Sequence, residues 1–142
     1  MSFMGSKIEE LIKEAEEFVI VAEKEFNEAI RENDKIRIRD SAEKAWNAIV
    51  QVTNALIIAL TGKTPMSHYE RRVMLRELEK TNVQVKELGF RDRYMARYKI
   101  LHGETFYEGI IDIEELKVEF EKVHSYIEDA KKLLKGILLR RL

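Results

Sequence analysis

The chain has no cysteine, a single proline and only six glycines in 142 residues. Without cysteine it holds no disulfide and no thiolate-bound metal, and carries no mark of an oxidising compartment. So little glycine and proline leaves scant material for the turns of a many-stranded sheet. Histidine is scarce too: His68, His102 and His124 show no metal-ligand spacing. No glycine-rich phosphate loop is present. The longest apolar run, residues 55–60, falls far short of the roughly 20 residues that a membrane span needs. Residues 1–6 are too short and too polar for the core of a signal peptide. The expectation is a cytoplasmic protein that does not use a membrane, a metal or a cofactor.

What is present is charge on a helical pattern. Hydrophobic residues make up 45% and charged residues 36%, and one domain is expected at this length. High Glu, Lys, Arg and Ile with two Gln resembles the composition of proteins from hot environments. The net charge of −1 hides an uneven layout. Residues 1–32 carry nine acids and four bases, residues 61–102 carry ten Lys/Arg and five acids, and residues 131–142 carry five Lys/Arg and no acid. A basic half suits a phosphate-bearing partner, although long helices also show basic faces by chance.

Apolar spacing of three and four predicts five helices. The first starts after Ser6, whose Ser6-x-x-Glu9 spacing fits a capping box, and runs to about Arg31. The second begins at Asp34 or Lys35 and ends at Thr61 before Gly62. Its apolar surface is wide, so it is expected to be central, with Trp46 as a core anchor. Ser67-x-x-Glu70 opens a third helix to about Leu88. A fourth starts near Phe90 or Arg91 and ends at Gly103, with Arg93 and Arg97 on a more exposed side. Asp112-x-x-Glu115 opens a fifth, reaching about Lys135. Residues 136–142 are apolar and basic and are expected to pack on a neighbouring helix or a second subunit. The predicted fold is all-α: a single-domain antiparallel bundle of four to five helices.

The stretch that looks like chemistry is residues 97–109. Arginine grips phosphate with paired N–H donors, and histidine moves protons near neutral pH. On a continuous α-helix, positions five apart lie about 140° around the axis. Arg97 and His102 therefore converge only if the helix unwinds at Gly103 or a second copy supplies one of them. Read structurally, the same residues make a turn: His102 caps the helix, Arg97 pairs with Glu108 or Glu104, and Phe106 and Tyr107 cover the core.

Arg97-x4-His102 near a helix end in a small all-α chain resembles the Arg-x4–6-His motif of the HEPN superfamily. More narrowly, Ser41-Ala42-Glu43-Lys44-Ala45-Trp46-Asn47-Ala48 and His102-Gly103-Glu104-Thr105-Phe106-Tyr107-Glu108-Gly109 resemble the archaeal PaREP-type family, the second through its His-Gly-x-x-Phe-Tyr-Glu pattern. The resemblance implies a HEPN-like fold and a homodimer in which Arg97 and His102 form a metal-independent ribonuclease site across a cleft. It further implies RNA contacts at Arg93, Tyr98, Tyr107 and Glu108, and a nucleotidyltransferase-type antitoxin as partner. Active members often carry Asn, Asp or His directly after the arginine, where this chain has Tyr98. The alternative is a non-catalytic helical dimer that binds protein or nucleotide.

Overall fold

The computed structural model describes residues 3–140, with side chains from residue 5 to residue 137. The described residues form six α-helices and one π-helical segment, with no strand: α1 (Phe3–Glu32), α2 (Lys35–Thr61), α3 (His68–Thr81), α4 (Val83–Leu88), α5 (Phe90–Arg97), the π-helix (Tyr98–Tyr107) and α6 (Ile113–Arg140). No helix among them is long and apolar enough to cross a membrane.

The first two helices form a hairpin because Asn33 takes the left-handed conformation (φ 52°) and Asp34 caps the start of α2, accepting from the Arg37 N–H at 3.1 Å. Polar pairs mark their antiparallel register: Arg37 with Glu28, Lys44 with Glu25, and Gln51 with Glu14. The α1 stripe of Ile8, Leu11, Ala15, Val19, Ala22, Phe26 and Ala29 is buried. As expected, α2 is the most enclosed helix, and Trp46 is buried within it. An indole of roughly 200 Å² removed from water is worth on the order of 5 kcal/mol.

Helix α6 runs antiparallel to α1. Glu16 meets Lys131 and Glu23 meets His124, while the Phe26 and Phe120 rings lie 4.9 Å apart. It also reaches α2, where the Tyr126 and Thr53 hydroxyls share a hydrogen bond of 2.6 Å. Burial holds the Tyr126 phenol well above its ordinary range. Helix α5 runs antiparallel to α6, with Arg93 on Asp129 at 2.9 Å and Phe90 edge-on to Tyr126.

Helix α3 departs from the expected alternation. His68 packs on Trp46, Arg71 bonds Asn54, and Met74 and Leu78 line a hollow with Leu60 and Thr61. It therefore runs beside α2 in the same direction. The rise from Trp46 to Leu60 is about 21 Å, a return that the six residues 62–67 can span at about 3.4 Å each. Pro65, buried, helps hold that segment extended.

Several expected boundaries are corrected. Ser6 lies inside α1 rather than capping it. The helix expected to reach Leu88 breaks at Asn82, whose extended backbone (φ −130°) closes α3 and whose carboxamide oxygen accepts from the Val85 N–H to open α4. The helix expected to stop at Gly103 continues as a π-helix to Tyr107. Helix α6 extends past Lys135 to Arg140. Of the docking tail expected at 136–142, the side chains from Leu138 onward lie outside the described residues.

Candidate functional site

The π-helix defines the site. Its i→i+5 bonding turns the chain more slowly than an α-helix, and such segments recur at functional places. The wider turn brings residues four and five apart onto one side. The Tyr98, Phe106 and Tyr107 rings accordingly lie 5.5, 6.0 and 5.6 Å from the His102 ring. The segment ends in a cap that is one residue wider than usual at each bond: Ile110 N–H donates to Glu104 O at 2.9 Å and Gly109 N–H to Thr105 O at 3.2 Å. Gly109 supplies the left-handed turn (φ 73°). Arg39 reaches over from α2 and donates to Phe106 O at 2.9 and 2.6 Å, placing a cation on the exposed carbonyls of the helix end.

Facing this segment is the α2 stretch Ser41–Ala48, so the two family-like sequence segments meet in space. His102 Nδ1 lies 2.7 Å from Glu43 Oε2. A carboxylate only accepts, so Nδ1 carries a proton, and in the neutral ring Nε2 keeps its lone pair. Trp46 packs against the rings of Tyr94, Tyr98, His68 and His102.

His68 joins the same cluster with its ring 5.7 Å from that of His102. Its sequence position suggested no role beyond the start of a helix. Arg71, buried, donates from Nη1 to His68 Nδ1 at 3.1 Å and from Nε to Asn54 Oδ1 at 2.7 Å. Because arginine only donates, Nδ1 of His68 accepts, and its proton sits on Nε2. The Tyr94 hydroxyl is 3.2 Å from the same Nδ1. Burial, then the Arg71 charge, then His102 hold the His68 imidazole below its ordinary range, so it is neutral at pH 7. Among the described residues, Arg91 Nε is the only fully enclosed side-chain nitrogen or oxygen without a partner. The Nε2 atoms of both histidines are not among such enclosed atoms, and both rings are partly exposed. One offers a lone pair, the other an N–H.

Arg97 lies elsewhere. It is 4% exposed and sends Nε and Nη2 to the two oxygens of Glu119 at 2.5 and 3.0 Å, and Glu119 is 0% exposed. Burial raises the Glu119 carboxyl while Arg97 opposes the rise. Arg97 and Arg93 were expected on an exposed side. Both instead point at α6, Arg93 bonding Asp129 and lying over the Phe90 and Tyr126 rings. Arg97 pairs with neither Glu104 nor Glu108, and His102 binds Glu43 rather than its own helix end. The helix does not unwind at Gly103, and Arg97 and His102 take partners on different helices. Of the remaining expected contacts, Tyr98 and Tyr107 border His102, and Glu108 is exposed at the segment's end. No three His, Asp or Glu side chains among the described residues converge as a metal-binding group.

No curated protein matches the chain. The family profile of archaeal PaREP1/PaREP8 proteins matches residues 17–134, which includes both segments that meet at Glu43 and His102. The chain belongs to the archaeal PaREP1/PaREP8 family.

Proposed function

We propose that this protein acts on RNA through a histidine site in which His102 transfers the proton and Glu43 fixes its tautomer. The observation that carries this reading is the 2.7 Å contact between His102 Nδ1 and Glu43, which in the neutral ring leaves Nε2 as the base. In the reaction the ribose 2′-oxygen attacks the adjacent phosphorus and loses its proton to His102 Nε2. The bond from phosphorus to the 5′-oxygen breaks, leaving a 2′,3′-cyclic phosphate and a 5′-hydroxyl. The imidazolium of His102 returns the proton to the leaving oxygen. His68, neutral and carrying its N–H on Nε2, donates a hydrogen bond to a phosphoryl oxygen that gains charge. The role first expected of Arg97 passes to His68, because Arg97 is spent on Glu119. All three groups come from one chain. A homodimer, a HEPN-like fold and a nucleotidyltransferase-type partner remain part of the proposal. The alternation of α1, α2, α5 with the π-helix, and α6 supports that fold.

The test is cleavage of a mixed RNA in the presence of chelator. His102→Ala is expected to lose about 10²–10⁴-fold in rate. Glu43→Gln, which removes the charge beside Nδ1 and lets the amide meet either tautomer, is expected to lose about 10- to 100-fold. Wild-type protein that leaves RNA intact at every pH between about 5 and 9, the span in which an imidazole changes charge, would refute the reading.

A second reading is favoured by Ile36, Met66, Tyr69 and Tyr107, which are large, apolar and mostly exposed. Here the helices form a binding surface without turnover. It predicts a doubled mass or partner capture that survives His102→Ala, together with no cleavage.

A further inference from the structure

Beside the histidines, the first turns of α2 and the end of the π-helix enclose a surface hollow of about 360 Å³ lined by Ile36, Arg39, Asp40, Phe106 and Tyr107. Its walls are unlike a core that happens to be open. Tyr107 is 73% exposed and Ile36 is 72% exposed, although both are apolar. The Phe106 and Tyr107 rings stand nearly perpendicular, 6.2 Å apart, and both line the hollow. Arg39 is already held by the Phe106 and Tyr107 carbonyls. The carboxylate of Asp40, exposed, makes no hydrogen bond or ion pair with any described residue. The hollow thus combines stacking surface with one uncommitted acceptor.

We infer that this hollow binds a guanine base of the RNA substrate, an inference that rests on the RNA reading above. A nucleobase stacked on an aromatic ring gains about 1–3 kcal/mol whatever its identity, so Tyr107 and Phe106 provide affinity and no choice. Choice comes from Asp40. An ionised carboxylate has two acceptor oxygens and no donor. Guanine alone presents two adjacent donors, N1–H and N2–H, on its pairing edge. Adenine and cytosine set a ring-nitrogen acceptor beside their amino group, and uracil flanks its one N–H with two carbonyls, so each opposes the carboxylate with a lone pair. The hollow is also placed to matter for the chemistry, since Phe106 and Tyr107 each contact both it and the His102 ring. A guanosine held there presents its 3′-phosphate toward His102, and cleavage follows G.

The experiment measures binding of guanosine, adenosine, cytidine and uridine 3′-monophosphates to the full chain by isothermal titration, and sequences the ends of cleaved RNA. Guanosine 3′-monophosphate is expected to bind at least about tenfold tighter than the other three. Asp40→Asn is expected to erase that margin and Tyr107→Ala to weaken all four. Asp40 and Tyr107 are exposed, so both variants keep the fold. Equal affinity for the four nucleotides, or a guanosine margin that survives Asp40→Asn, overturns the inference. RNA cleaved without preference for G also overturns it while the RNA reading stands. Tight guanosine binding that depends on Asp40, in a protein that cleaves nothing, upholds the hollow and removes the catalytic reading.

Discussion

Arg97 and Glu119 exchange two charge-assisted hydrogen bonds between α5 and α6 with almost no solvent contact. A pair like this is costly to break and cheap to replace. Arg97→Ala leaves a buried carboxylate alone and is expected to cost about 3–5 kcal/mol in urea unfolding. Arg97→Met combined with Glu119→Leu is expected to come within about 1 kcal/mol of wild type, or above it. A single variant as stable as the wild type would show that the pair carries no structural weight. His68 gives a second prediction at this scale, through pH. Its folded-state pKa is lowered, chiefly by burial, so the unfolded chain takes a proton that the folded chain refuses. The His68 share of stability is complete above its unfolded value near 6.5 and is lost as pH falls toward the lower folded value. Unfolding of His68→Gln, compared on the two sides of that value at about pH 7.5 and about pH 5, is expected to show a smaller acid loss than the wild type. Neither the Arg97–Glu119 nor the Glu43–His102 contact is legible in the sequence. Arg97 and Glu119 are 22 residues apart, and Glu43 and His102 are 59 apart, while helical spacing informs only about residues three or four apart.

Among elements, the π-helix carries the site and is the one the sequence conceals. Capping rules find the start of α2, α3 and α6, since Asp34, Ser67 and Asp112 each accept from a backbone N–H three residues on. Those rules read a side chain next to a backbone and need nothing distant. A π-turn has no such local mark. The hint available is spacing: Tyr98, His102 and Phe106 recur strictly at four, a slower period than the three-and-four alternation of an α-helix. Tertiary contacts hold the wider turn, above all Arg39 on the terminal carbonyls and Gly109 in the left-handed region. Gly109→Ala is expected to cost about 1–2 kcal/mol, because φ 73° opposes a side chain and the new methyl would sit 3.4 Å from the Arg39 guanidinium. Hydrogen exchange checks where the cost falls. Faster exchange confined to residues 98–110 is the expected result, and uniform acceleration across the chain would assign the strain elsewhere. The break at Asn82 escapes sequence reading for another reason: the helical apolar pattern continues across it, with Leu75 and Leu78 before and Val85 and Leu88 after.

Across the whole molecule, composition is enough for the all-α class, and apolar periodicity is enough for a central α2. Direction is not legible in the same way, because a helix pattern does not say which way the next helix runs. The extended return of residues 62–67 turns α3 parallel to α2 and brings His68 beside Trp46 and His102. That one connection places the second histidine in the site. In the proposed reaction His102 with Glu43, and not Arg97, carries the chemistry. The most direct measurement compares RNA cleavage in chelator by wild type, His102→Ala and the Arg97→Met/Glu119→Leu double variant. The double variant is expected to cleave within about tenfold of wild type while His102→Ala falls by about 10²–10⁴-fold. A folded double variant as inactive as His102→Ala would contradict it and return Arg97 to the reaction.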